Sequence, residues 1–363
     1  MAKKCVKDEL KLVSLFSGGG GLDIGLGAAG FKTLFANDVI PQCCATLEKN
    51  LNKEATVVCA DIMKVSGADI RKALGLKKDE FVDLLAGGPP CQAFSIFGQR
   101  KGRADPRGQM VYEYFRILSE LKPKAFVFEN VFGLLTVEQG EVYKVVCEKL
   151  ANPCEGLNYD IKAFRLNAVD YGVPQFRDRV IIVGSRTGNN VAEIPPVTFA
   201  NPQKGQLRYR TVADALRGLP DPNGDYPSNH VGREHSEAIV SRYASMAPGE
   251  RDSHTRINKL DLARPSFTII CGSNCGGGKG HIHPTVPREV TPRESARIQT
   301  FPDDWTFECK GRYAISQVGN AVPSLLAFAV GNEIREKVFG LKKIPFKSGL
   351  KKTGQAHLFP ELF

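Results

Sequence analysis

Along the first half of the chain, apolar residues fall in short runs that end at polar or glycine-rich turns and are separated by amphipathic stretches. Lys11–Phe16 reads as a strand, followed by Thr33–Ala36, Thr56–Ala60 and Phe81–Ala86. Ala125–Phe128, Tyr159–Leu166 and Val180–Val183 complete the set. Helical spacing fits Pro41–Asn50, the stretch around Val111–Leu121 and, far downstream, Pro323–Phe339, where Leu326, Val330 and Ile334 share one stripe. Strands alternating with helices argue an α/β protein built on a doubly wound, mostly parallel sheet. From about 187 to 290 this rhythm disappears into loop-rich, polar sequence, a length that usually carries function.

Composition adds a partner class. The 363 residues are 42% hydrophobic and 24% charged, as in an ordinary globular protein. No apolar stretch approaches the roughly 18 residues of a membrane span, and MAKKCVKDELKL is too charged for a secretory signal, so a cytoplasmic protein with no membrane association is expected. The ten cysteines then read as reduced thiols. Cys271 and Cys275 lie near His281 and His283, but their spacing matches no standard ligand pattern, and no metal is expected. The formal charge of +10 favours a polyanionic partner. Lys342, Lys343, Lys347, Lys351 and Lys352 read as a solvated basic tail.

Candidate chemistry sits at the strand ends, where open α/β sheets place their ligands. Ser17–Gly21, Asp38, Asp61, Cys91 and Glu129 all follow predicted strands. Cys91 belongs to GGPPCQAFS, on a loop stiffened by Pro89 and Pro90. The glycines after the first strand let a turn approach a ligand closely, and Asp38 suits ribose hydroxyls. The literal G-x-G-x-x-G at Gly25, Gly27 and Gly30 comes too late to be the strand-to-helix turn; those glycines read as close-packing positions and a helix stop. The run at 18–21 lacks pyrophosphate spacing, which points to a nucleoside cofactor without one, such as S-adenosylmethionine.

With these residues in order, the chain resembles the bacterial DNA (cytosine-5) methyltransferases. The resemblance rests on FSGGGGLDIG at 16–25, Asp38, Asp61-Ile62, GGPPCQAFS, DPRGQMVYEYFRIL at 105–118 and FENV at 128–131. It continues through NAVDYGVPQFRDRVIIVG at 167–184, TPRESARIQTFPDDW at 291–305 and QVGNAVP at 317–323. It implies a Rossmann-like methyltransferase fold with a smaller inserted target-recognition domain. It also implies transfer of a methyl group from S-adenosylmethionine to carbon 5 of a flipped-out cytosine in double-stranded DNA. A thiolate adding to carbon 6 makes carbon 5 nucleophilic, and Cys91 is the residue matched to that attack. Glu129 would contact ring nitrogen 3 and the exocyclic amine. Arg177 would hold the base at its carbonyl, Arg179 would brace the catalytic loop, and Gln92 with the loop Ala93–Arg107 would fill the vacated stack and close over the site.

For the methyl donor, the resemblance assigns Phe16, Gly18, Gly19, Gly20, Gly21 and Leu22 to the glycine loop and its aromatic wall. Asp38 would hold the ribose, Asp61 and Ile62 the adenine, and Pro90 the methionine side, with Asn320 and Val322 returning to the same pocket. It divides the chain into a catalytic and cofactor-binding domain at 1–186 and recognition at 187–290. A return segment at 291–340 and the basic tail at 341–363 follow. Five of the six histidines fall in the recognition block, at 230, 235, 254, 281 and 283. Arg233, Arg251, Arg256, Asn274 and Lys279 are its candidate DNA contacts. The expected partners are duplex DNA and a separately acting cognate restriction endonuclease, with the enzyme itself a monomer. The competing readings are a transfer-RNA cytosine methyltransferase of the same fold, and a DNA-binding protein whose catalysis has decayed.

Overall fold

The computed structural model describes residues 9–90, 106–271 and 278–358. Seven strands form one sheet: β1 (Leu10–Leu15), β2 (Phe31–Asp38), β3 (Thr56–Cys59), β4 (Leu84–Gly87), β5 (Ala125–Val131), β6 (Asp160–Asn167) and β7 (Asp178–Ser185). Their order is β3-β2-β1-β4-β5-β7-β6. All neighbours run parallel except β7, which is antiparallel to both β5 and β6. Successive residues of each central strand feed opposite cores. Leu12, Leu84, Ala86, Val127 and Ile181 lie in one, Val13, Leu15, Leu85, Phe128 and Ile182 in the other. A strand buried on both faces reads as a continuous apolar run, which is why these segments were visible in sequence.

Helices cover both faces. The helices in the first half of the chain are, among the described residues, α1 (Gly21–Ala28), α2 (Pro41–Asn50), α3 (Gly67–Ala73), α4 (Pro106–Leu121) and α5 (Glu141–Ala151). Downstream come α6 (Val212–Leu216), α7 (Glu237–Ser245), α8 (Pro292–Ile298), α9 (Arg312–Asn320), α10 (Ser324–Lys337) and α11 (Phe346–Lys352). Two-residue strand pairs join β8 (Thr198–Phe199) to β9 (Leu207–Arg208), and β10 (Ile270–Cys271) to β11 (Gly278–Lys279). The apolar stretch Arg312–Lys337 is membrane-like in composition, but it is α9 and α10, broken at Ala321–Pro323 and mostly buried.

Gly25 is where α1 meets α10, since a Cβ there would lie 2.2 Å from the Ser324 carbonyl oxygen. Gly30, with φ of 92°, ends the segment after α1 as expected, whereas Gly27 faces open space rather than a packing partner. Two further expectations need correction. The region 341–358 is not a solvated tail: Leu350, Thr353 and Gln355 are fully buried, and Gly349 lies against the Phe328 ring. Nor is 187–290 a separate core throughout. Val191, Ile194, Val212, Ala215, Leu260, Ile269 and Val290 belong to the large core, while Tyr243, Met246, Ile257 and Ile282 form a small cluster of their own.

Candidate active site

The strand order reverses between β1 and β4, opening a crevice beyond their carboxyl ends. Leu15 and Gly87 are register partners, as are Gly87 and Phe128, so the glycine loop, the GGPP turn and the Glu129-Asn130 pair emerge side by side.

In one half of the crevice, the chain leaves β1 through Phe16 and Gly18, both with positive φ (52° and 55°), and starts α1 after Gly20 (φ 85°). The Asp38 carboxylate is buried and accepts from the backbone N–H of Gly18 at 2.8 Å and of Ile40 at 2.9 Å. Burial raises its pKa above the ordinary value, against those two hydrogen bonds. Asp61 caps the short 3-10 turn Ile62–Lys64, accepting from Met63 N at 3.0 Å, and Ile62 points into the core. Pro90 is exposed, Leu22 and Val322 are buried, and Asn320 is exposed at the end of α9.

Most of the glycine run approaches the protein's own far end. A Cβ at Gly21 would lie 2.1 Å from the Val322 oxygen, one at Gly20 would lie 2.4 Å from the Trp305 ring, and one at Gly19 would lie 3.1 Å from the Gln317 oxygen. Only Gly18 has nothing nearer than 4.0 Å, so within the run it is the position left open on the crevice side. The other three are small because the return segment packs against them. Trp305 and Gln317 lie in quoted motifs, but their packing partners are nearly 300 positions away and carry no local signal.

In the other half, Glu129 lies within β5, which runs on to Val131, rather than beyond its end. Val131 and Arg179 are register partners, so Glu129 and Arg179 are diagonal neighbours on one face. Arg179 Nε stands 2.7 Å from Glu129 Oε1, with both side chains about nine-tenths buried. Burial raises the Glu129 pKa, and the charges of Arg179 and Arg177 pull it back. A Cβ at Gly88 would fall 2.4 Å from Glu129 Oε2, so the GGPP turn fits over this carboxyl only as glycine. Asn130 Nδ2 donates to the Pro89 oxygen at 3.2 Å and ties the turn to β5.

Arg177 packs into the return segment. It is 2% exposed, and its Nη2 donates to the carbonyls of Gly319 at 2.6 Å and Ala321 at 3.1 Å. The guanidinium thereby clamps the end of α9, and the arginine in ion-pair contact with the acid is Arg179. Gln175 and Gln299, which lie in two of the quoted motifs without an assigned role, extend the clamp: Gln175 Nε2 donates to Gln299 Oε1 at 2.5 Å, and Gln299 Nε2 to the Ala321 oxygen at 2.6 Å. Cys271 also adjoins the site, where the charges of Arg177 and Arg179 oppose a burial-driven rise of its pKa to about 11.

Cys91, Gln92, Asn274 and Cys275 lie outside the described residues. Of the other candidate DNA contacts, Arg251, Arg256 and Lys279 come together. Arg251 Nε donates to the Arg256 oxygen at 3.1 Å, and Lys279 Nζ reaches the Thr255 oxygen at 3.4 Å. Arg233 is exposed and lies 3.5 Å from Glu289. His281 and His283 hydrogen-bond to the backbone. His281 Nε2 bonds the Thr268 oxygen at 3.1 Å, and His283 Nδ1 accepts from Val286 N at 3.1 Å.

Comparison with known proteins agrees with this architecture. The model of the family "C-5 cytosine-specific DNA methylase" matches residues 10–336. The type II methyltransferase M.XorII of Xanthomonas oryzae pv. oryzae is 35% identical, over 92% of this chain and 86% of its own. M.MthTI of Methanothermobacter thermautotrophicus is 34% identical over 92% and 99%, respectively. Among solved structures, a putative DNA modification methyltransferase encoded within an E. coli prophage superposes with a TM-score of 0.74 at 27% identity, covering 91% of this chain and 100% of that one. The S. pombe Dnmt2 methyltransferase shares the fold, with a TM-score of 0.62 at 16% identity over 90% and 98%. By the extent of the family match and the identity to full-length relatives, the chain belongs to the C-5 cytosine-specific DNA methylase family.

Proposed function

We propose that this chain methylates carbon 5 of a cytosine within a specific duplex DNA sequence, with S-adenosylmethionine as donor, and serves as the modification half of a restriction–modification pair. The observation that carries the reading is the buried Glu129–Arg179 pair seated against Gly88 of the GGPPC turn. The type II methyltransferase relatives support the biological role.

The donor fits the other half of the crevice. Gly18 leaves room, Asp38 offers a fixed carboxylate beside it, and Asp61-Ile62 follows the next strand. Phe16, Gly18, Asp38, Asp61, Ile62, Pro90, Asn320 and Val322 would hold the donor, which supplies an electrophilic methyl group. The tight glycines at 19–21 and Leu22 shape the loop rather than touch the donor.

Cys91, next in sequence to Pro90, acts as the nucleophile: its thiolate adds to carbon 6, and the electron pair released toward carbon 5 takes up the methyl group. Loss of the carbon 5 proton then expels the thiolate and restores the ring. Glu129 holds a proton at ring nitrogen 3 as charge builds there, a task suited to a carboxyl whose pKa burial has raised. Arg179 fixes the Glu129 carboxyl and faces the base carbonyl, while Arg177 braces α9. Gln92 occupies the stack that the flipped base leaves. Arg233, Arg251, Arg256, Asn274 and Lys279 are the proposed DNA contacts of the recognition region.

Incubation with labelled donor and either duplex DNA or transfer RNA tests the reading. Label should enter DNA alone, at mapped cytosines, and Cys91→Ser should abolish it. Label in transfer RNA alone, or a covalent adduct with 5-fluorocytosine DNA through another cysteine, would overturn it.

A further inference from the structure

Asp23 is a buried acid for which the proposed chemistry has no use. It lies in the first turn of α1, 3% exposed, and among the described residues no cation lies within ion-pair distance. Its partners are hydroxyls from two strands. Thr33 of β2 donates to Oδ1 at 2.9 Å, and Ser14 of β1 donates to Oδ2 at 3.1 Å. Ser14 Oγ in turn accepts from Ser17 Oγ at 2.9 Å. Ser17 opens the glycine loop: its N–H is bonded to the Asn37 oxygen at 3.0 Å, and its carbonyl accepts from Gly20 N at 2.9 Å.

The chain Ser17 → Ser14 → Asp23 has one direction. Both strand hydroxyls give their protons to the carboxylate, which leaves the Ser14 oxygen free to accept from Ser17. An ionised carboxylate enforces this order, because it can only accept. An amide or a protonated acid offers a donor on one side, so one hydroxyl must turn around. If Ser14 turns, Ser17 loses its acceptor at the point where the loop begins. The N-terminal end of α1 favours the negative charge, which is how an unpaired carboxylate is tolerated there.

We infer that Asp23 is a positioning residue for the methyl donor: through Ser14 it fixes Ser17, and hence the loop that presents Gly18 N–H to Asp38. The inference rests on the reading of this loop as the donor site. A purely structural acid would be expected to stabilise the fold. Burial instead raises the Asp23 pKa to about 6, so at neutral pH the ionised group is held against its solvation preference.

Calorimetry of the full-length protein with S-adenosylmethionine at pH 8 tests this, alongside melting temperature and steady-state kinetics. Asp23→Asn should weaken donor binding at least five-fold without lowering the Tm, with the change appearing in KM for the donor more than in kcat. Ser17→Ala should weaken binding comparably, and the double variant should lose no more than the worse single one, because both cut one chain. Ser14→Ala leaves the acid in place while breaking the link, and should match them if Asp23→Asn does not fold. Wild-type affinity in Asp23→Asn or Ser14→Ala, or losses that multiply in the double variant, would overturn the inference. Asp38→Ala separates this from failure of the underlying reading. If it too leaves donor affinity unchanged, the loop is not the donor site.

Discussion

Alanine at position 88 would put a methyl group where Glu129 Oε2 now lies, 2.4 Å away. The carboxyl is about nine-tenths buried and held by Arg179, so it has little room to yield without leaving its partner. Gly88→Ala should therefore displace Glu129 by a fraction of an ångström to an ångström. Misplacement on that scale costs about a hundred-fold in the chemical step. Single-turnover methylation should show that drop while calorimetric donor affinity stays near the wild-type value; unchanged turnover would mean Glu129 is not where the base is handled.

Asp23 provides a measurement of a different kind. An acid whose folded pKa rises from 3.8 to about 6 binds its proton more tightly in the folded state. Below pH 4 it is protonated in both states and costs nothing. As pH rises through the interval from about 4 to about 6 the folded state progressively loses stability, by about 3 kcal/mol in full. Glu9, Lys32, Asp304, Arg335, Lys351 and Lys352 line the cavity beside it. Denaturant titrations of wild type and Asp23→Asn should diverge across that interval, with the variant relatively more stable above it. Parallel curves would show that the carboxyl is not strained by burial.

At the scale of elements, strand existence was legible and strand direction was not. The apolar runs of β1, β4 and β5 announce burial on both faces, but periodicity is the same for parallel and antiparallel strands, so nothing in Val180–Val183 foretold that β7 runs against its neighbours. That reversal lets Arg179 reach Glu129. The C-terminal segment was misread for the opposite reason: its lysines dominated the charge count while Ile344, Phe346 and Leu350 supplied an apolar stripe packed on the core. Leu350→Ala should lower stability by about 2–5 kcal/mol, as for other fully buried leucines. A melting temperature equal to wild type would show that α11 does not dock in solution. Gly21→Ala should also destabilise, by about 1–3 kcal/mol, since the added methyl would run into the Val322 backbone and the Ala321 Cβ.

For the whole molecule, the question is which part can be exchanged. The small cluster of Tyr243, Met246, Ile257 and Ile282 stands apart from the main core, and the exposed Arg251, Arg256 and Lys279 gather near it. Replacing 187–290 with the counterpart from a relative, while keeping Val191, Ile194, Val212, Ala215, Leu260, Ile269 and Val290 for the main core, should move the target sequence and preserve methylation. Sequencing of modified cytosines reads the outcome, and an active chimaera with the original target would refute the division. Arg251→Ala should weaken binding on all sequences and flatten its salt dependence if it meets phosphate, or relax preference at one position by about 1–3 kcal/mol if it meets a base.

The glycine loop, written near the start of the chain, is walled by Gln317, Trp305 and Val322, written near its end. A nascent chain emerges from the ribosome N-terminus first, so residues 16–22 wait through nearly the whole of synthesis for their supports. A polypeptide released before Trp305 carries the GGPPC turn, Glu129 and Arg179 but a glycine loop without its backing. If the glycine loop is the proposed donor site, capture of the donor doubles as a completion check: chains cut before Trp305 should fail to retain S-adenosylmethionine.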